Sequence, residues 1–360
     1  MPKQISPKWA DIGDGERADL CALYLGGRSA ESLSEEYCPG TKPVTLRRRL
    51  QELIGARKLP AGNITVGRGD FQKHWGLYCE LIGRDPKKPL PKAQSKKKNN
   101  RRRIVVLCDM HGAPDKEIVA RAADEKPDIV IEAGDIFDAF AMSKFIKMKM
   151  MPIADEIANI RATDEFLVSK GIRVKKIRGN HDDRALRYFA QRIEPEFMPL
   201  VQWDLLELSC AGLEGAEIVR NTYDFQSAAG RKIQGALQNT YIVHEGDALI
   251  AHAEVSRKGE ARTADALYEW IERWRKPLGW LEPRLIVQAH IHRASVTYPQ
   301  GGHEVRVEGG YCGEISNLQY THDLGSAVYT PPVLGYTIFN QDFRSARWVT
   351  DLGTVKFVLC

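Results

Sequence analysis

The sequence predicts a mixed α/β domain preceded by a small all-α one. Two observations lead there. From residue 104 onward, short apolar runs of strand length alternate with longer segments of helical period, the signature of βαβ units. Before residue 84 the periodic segments are helical. A third observation bears on chemistry. Aspartate, asparagine and histidine follow one apolar run after another, at the strand ends where α/β sheets bind ligands.

The helical part comes first in the chain. Gly15 to Leu25 reads as a helix closed by Gly26-Gly27. Ser29 suits the N-cap of a short helix reaching Tyr37, with Leu33 buried. Residues 38–43 form a turn. Val44 to Ile54 reads as a third helix, with Val44, Leu46, Leu50, Leu53 and Ile54 on its apolar side. This resembles a helix-turn-helix DNA-binding unit whose third helix enters the major groove, with Thr45, Arg48 and Arg49 as contacts. A small helical protein-interaction domain is the other reading. Phe71 to Ile82 reads as a further helix on this unit. The expected domain spans residues 1–83.

Residues 84–103 read as a basic, flexible linker. Ten basic side chains stand there against one acid, Asp85, whereas the whole chain carries only +5. Three prolines extend it. Lys96, Lys97, Lys98, Arg101, Arg102 and Arg103 are candidate contacts to a DNA backbone, and such contacts are salt-dependent. A solvated spacer is the plainer alternative.

The expected catalytic domain spans residues 104–360. Its first strand, residues 104–108, leads into Asp109 and His111, two residues apart and so on one face of an extended chain. Residues 114–123 read as a helix with Pro114 in its first turn. The strand at 128–133 delivers Asp135 after Gly134. Residues 153–169 are helical, and the strand at 172–177 delivers Asn180, His181 and Asp182. The run at 247–251 ends in His252, and the run at 284–289 ends in His290 and His292. His244 also ends an apolar run, so His244 and His252 compete for one place, the longer strand leading into His252. A helix over 263–275 and strands near 295–298, 303–307 and 333–339 follow. Two carboxylates, four imidazoles and one amide can thus converge. That mixture suits manganese, iron or zinc better than magnesium or calcium.

Taken in order, Asp109-Met110-His111, Gly134-Asp135, Gly179-Asn180-His181-Asp182, His252 and His290-Ile291-His292 resemble the signature motifs of the calcineurin-like metallophosphoesterase superfamily over residues 104–310. The resemblance implies a two-sheet sandwich flanked by helices and holding two divalent metals. It implies that Asp109, His111 and His292 bind one metal, that Asn180, His252 and His290 bind the other, and that Asp135 bridges them. His181 would act on the leaving oxygen, with Asp182 orienting it. Gly-Asp-Ile-Phe-Asp and Gly-Asn-His-Asp are most similar to the Mre11/SbcD nuclease branch. The phosphoprotein phosphatase branch has an arginine just after its second motif, and no arginine stands there in this chain.

Composition sets bounds. An apolar content of 43% and a charged content of 28% fit a soluble globular protein. No run reaches membrane-spanning length, and Met1-Pro2-Lys3-Gln4 carries no apolar signal core. Seven scattered cysteines suggest no disulfide framework, so a cytoplasmic location is expected. The expected function is a DNA-directed phosphodiesterase or nuclease with two divalent ions, manganese first, and a hydroxide bridging them as nucleophile. A phosphomonoesterase, or a DNA-binding regulator with a vestigial metal domain, are the alternatives. Oligomeric state is open.

Overall fold

Central strands buried along their whole length build the α/β part, seen in a computed structural model that describes residues 30–37, 41–46, 49, 85, 87–88, 100–142, 151–192, 204–219, 240–253, 262–278, 281–299, 301–318 and 331–360. Two compact units emerge: Met1–Gln72 with Leu186–Asp204, and Lys73–Ala185 with Leu205–Cys360.

In the first unit, α1 (Ala30–Tyr37) buries Ala30 and Leu33. Leu46 is buried and Val44 is 76% exposed. Residues 43–46 and 49 are helical, and Thr45 and Arg49 are exposed. The expected helices at 15–25 and 71–82, and Arg48, lie outside the described residues.

The second unit holds two sheets. β1 (Arg101–Leu107), β2 (Ile129–Ala133), β3 (Arg173–Ile177) and β4 (Ala216–Ile218) run parallel. β10 (Gly335–Arg344) and β11 (Arg347–Leu359) extend that sheet antiparallel, in the order β11-β10-β1-β2-β3-β4. The second sheet has the order β5-β6-β7-β9-β8, from β5 (Thr240–Glu245), β6 (Ala248–Ala253), β7 (Leu285–Gln288), β8 (Ala294–Thr297) and β9 (Val305–Gly309). Alternate residues of the two sheets meet: Ile104, Val106, Ile129 and Ile131 from one pack with Ile250, Leu285, Val287 and Val307 from the other. Burial of this face is the main force joining the sheets.

Helices cover the outer faces. α2 (Lys116–Asp124) and α3 (Ile153–Ser169) are the crossovers that keep β1, β2 and β3 parallel. Asp115, not Pro114, starts α2: its carboxylate accepts from the backbone N–H of Glu117 and Ile118. Two short helices, α4 (Arg184–Ala190) and α5 (Leu205–Cys210), follow β3 in the chain. α6 (Arg262–Leu278) lays Leu267 and Ile271 on Leu249, Ala251 and Ile286 of the second sheet.

The expected linker is corrected at its carboxyl end. Arg101, Arg102 and Arg103 belong to β1 and pair in register with Asp342, Gln341 and Asn340 of β10. Arg102 is almost buried: it pairs with Glu245 at 3.0 Å, donates to Gln341 at 2.8 Å and stacks on Trp348. Arg103 donates to the Glu125 carbonyl and to Asn340, and Arg101 pairs with Asp342. These charges tie the strand down, which removes Arg102 in particular from the expected DNA contacts. Lys96, Lys97 and Lys98 lie outside the described residues. No helix among the described residues is long and apolar enough to cross a membrane.

Candidate metal centre

The carboxyl ends of β1, β2, β3 and β7, together with His252 inside β6, bring the expected residues to one place. Asp109 and His111 follow β1, Asp135 follows β2, Asn180 and His181 follow β3, and His290 and His292 follow β7. The backbone turns sharply as each strand stops. Asp109, His111, Asp135, His290 and His292 all have positive φ, between 44° and 83°. Such strain in non-glycine residues persists only where the surroundings enforce it, and it concentrates at functional sites. Two glycines permit the close approach. A Cβ on Gly134 would strike the His252 ring, and one on Gly179 would strike the Asp135 backbone nitrogen.

Three sets of potential ligands form, each with its atoms within 4.8 Å of one another: Asp109, His111 and His292; His111, Asp135 and His181; and Asp135, His252 and His290. Asp135 and His111 each belong to two sets. Asn180 joins the third through its Oδ1, 3.1 Å from His252 Nε2. His244 belongs to none of these sets and lies on β5 beside Leu249; burial pushes its pKa down to about 4.

Hydrogen bonding shows that the cluster suits cations. His252 Nδ1 faces the Ala133 carbonyl at 3.0 Å, an acceptor only, so Nδ1 carries the proton and Nε2 offers a lone pair. That lone pair points at Asp135 Oδ1, 3.3 Å away, and at Asn180 Oδ1. Three acceptors converge with no donor between them. Likewise His111 Nε2 and His292 Nε2 stand 3.2 Å apart, and His292 Nε2 is 3.4 Å from Asp109 Oδ1. Among the described residues His290 Nδ1 is buried without a hydrogen-bond partner, and His111 Nδ1 faces Asp138 Oδ1 at 3.6 Å. The carboxylates are sealed in, Asp109 at 0% and Asp135 at 1% exposure. Burial opposes charge on His252, yet the Asp135 and Asp109 carboxylates push it up to about 10. A proton there does what a divalent ion does better: it separates the acceptors. The residues therefore fit divalent metals.

The structure corrects the expected partner of His181. Asp182 does not touch the ring. Its two oxygens accept from the backbone N–H of Phe137 and Gly179, pinning the turn after β3 to the loop after β2. Burial, then the Asp135 charge, push Asp182 up to about 7. The ring instead meets Asp138, with Nδ1 3.0 Å from Oδ1. Burial opposes that charge too, but His111 and His181 outweigh it and hold the Asp138 carboxyl well below the carboxylate range. Asp138 stands in plain view three residues after Asp135. Sequence reasoning also misses Glu156, which accepts from Asp138 N and Ala139 N, and Arg184, which contacts Asp138 and His181. Tyr311 is buried against the His111 and His292 rings. No spacing rule links position 311 to the motifs.

No curated protein matches the chain. A solution NMR structure of a Thermotoga maritima protein aligns with 71% of this chain and 99% of its own at 11% identity, but its TM-score of 0.26 is too low to bear on fold or function. The family model for calcineurin-like phosphoesterase matches residues 102–307, a span that holds every residue of the cluster. The chain belongs to the calcineurin-like phosphoesterase family, whose members are metal-dependent phosphoesterases.

Proposed function

We propose that the protein is a two-metal phosphodiesterase directed at DNA, with Asp109, His111 and His292 holding one ion, Asn180, His252 and His290 the other, and Asp135 between them. The convergence of acceptors with no donor among them carries the metal-dependent part of this reading, and the basic residues before β1 support the choice of DNA. Bound divalent ions supply Lewis acidity and positive charge toward a phosphate ester; manganese is the first choice, with iron and zinc next.

The chain's own groups do the rest. Asp109 Oδ1 and Oδ2 accept from His290 N, so the first and last motifs are locked to each other. Asp135 Oδ1 accepts from His181 N at 2.8 Å, which places the imidazole beside the bridging carboxylate. His181 stands 12% exposed at the side chain, open to a substrate, and Asp138 fixes its ring from behind. His181 acts on the leaving oxygen of the ester. Asp182 holds the two loops in register. The basic residues before β1 supply the affinity for DNA.

A substrate panel with added manganese tests the reading: an aryl phosphodiester, an aryl phosphomonoester and duplex DNA. Cleavage of the diester and of DNA supports it. Preference for the monoester shifts the assignment to a phosphatase. Tight, salt-sensitive DNA binding with no turnover would identify a regulator with a vestigial metal domain.

A further inference from the structure

Asp138 is gripped from several sides. Its N–H donates to Glu156 Oε2 at 2.9 Å. Its carbonyl accepts from Arg184 Nη1 at 2.7 Å, and its Oδ1 accepts from the same nitrogen at 2.7 Å. Oδ1 also meets His181 Nδ1. The guanidinium reaches further, with Nη2 in contact with His181 Nε2. One side chain thus touches both ends of the His181–Asp138 pair.

Elementary chemistry then fixes the protons. Arginine has only donors, so the nitrogen facing it, His181 Nε2, must accept. The ring proton is left on Nδ1, where Asp138 Oδ1 takes it. Remove Arg184 and nothing in these contacts holds Nε2 as an acceptor. Arg184 is the first residue of α4, and its N–H bonds to the His181 carbonyl, so helix and imidazole are tied through the backbone as well.

We propose that Arg184 is a positioning residue of the reaction centre: by gripping Asp138 and capping His181 Nε2 it sets the orientation and tautomer in which His181 awaits a phosphoester. The proposal rests on the phosphoesterase reading of this site. Arg184 is 20% exposed at its side chain, so the guanidinium can swing away; Nε2, an acceptor until then, takes a proton from bulk solvent and passes it to the leaving oxygen. Arg184 therefore acts through Asp138 and His181.

Two measurements on the full chain test this. The first uses metal-free protein with nitrogen-15 arginine, the Arg184 signals being assigned by their loss in Arg184→Lys. A gripped guanidinium gives resolved, slowly rotating Nη–H signals that collapse in Asp138→Ala. Free rotation in the unmutated protein, or signals indifferent to Asp138→Ala, overturns the proposal. The second is a double-mutant cycle on an aryl phosphodiester with manganese. Arg184→Ala and Asp138→Ala should each lower kcat about 10²-fold with KM little changed. The double variant should lie within about threefold of the worse single one. Multiplying losses, or a raised KM with kcat intact, overturns it. If the unmutated protein cleaves no phosphoester at all, the functional reading fails while the nitrogen-15 spectrum still decides the role of Arg184.

Discussion

Asp109 and Asp135 are buried as deeply as Glu132 and Asp164, yet the two pairs are neutralised in different ways. Glu132 on β2 and Lys176 on β3 are direct cross-strand partners, and Asp164 reaches them from α3. Lys176 Nζ lies 2.8 Å from a carboxylate oxygen of each. Here the chain supplies the cation. Burial, then the charge of Glu132, push Asp164 well up, so the triad also retains a proton readily. Around Asp109 and Asp135 the charge partners are imidazoles, several with lone pairs aimed at the same space. Buried carboxylates that bring an ammonium fix a sheet against a helix. Buried carboxylates that face other acceptors need a cation from solution.

The largest effect expected from this contrast is at the shared carboxylate. Asp135→Asn should lower turnover at least about 10³-fold, because one substitution weakens both sets of ligands. Metal content measured on the purified variant should fall with it. Near-normal activity would remove Asp135 from its bridging place. Lys176→Met should leave activity per folded molecule intact but cost about 3–5 kcal/mol of stability in denaturant, since two carboxylates stay buried without their cation. Manganese should raise the melting temperature of the unmutated protein and do nothing specific for the triad. If Lys176→Met costs no stability, the ammonium is not what holds Glu132 and Asp164 inside. Replacing all three by apolar residues of similar volume should be close to neutral.

Much of this is legible in the sequence, and the part that is not has physical causes. Strands β1, β2, β6 and β7 carry buried apolar runs and β3 alternates, and the polar residues that follow or end them stand out against hydrophobic neighbours. The β10–β11 hairpin is only half legible. Its turn, Ser345-Ala346, has φ of 49° and 63° at residues that give no turn signal, where Asn-Gly is usual. β11 itself interleaves Thr350, Asp351, Thr354 and Lys356 with its apolar residues, so no apolar run marks it. Arg101–Arg103 read as linker because charge masks a strand whose partners, Gln341 and Glu245, are more than a hundred residues away. The partner of His181 is obscured for a related reason. Asp182 is its neighbour in sequence, but a turn aims adjacent side chains apart, and Asp138 arrives from the loop after β2.

Glu156 sharpens the contrast through pH. Burial, then the Asp138 charge, push it up to about 8, against about 4.5 for an exposed glutamate. The folded state therefore holds a proton that the unfolded chain releases. The stabilising contribution is complete below about pH 4.5 and is lost as pH rises toward 8, an upper bound on the order of 4 kcal/mol. Glu156→Gln keeps an oxygen for Asp138 N and Ala139 N but cannot ionise. Unfolding measured in urea from pH 5 to 8 should show the unmutated protein losing stability relative to this variant. Parallel curves would mean that Glu156 is charged in the folded protein.

The smallest expected effect separates two groups of basic residues. Changing Lys96, Lys97 and Lys98 together to Gln should weaken DNA binding and reduce the slope of log affinity against log salt by about three, roughly one for each phosphate no longer neutralised. Arg102→Gln removes one such charge a few residues later, where the same rule would lower the slope by about one, yet it should leave that slope unchanged. Its guanidinium is already committed to Glu245, Gln341 and Trp348. The cost should appear in thermal stability instead, because among the described residues Glu245 then keeps Lys175 alone as a counter-ion. An equal loss of salt dependence per charge removed would show that charge before and within β1 reaches DNA alike, and that pairing inside the fold does not decide which cations bind it.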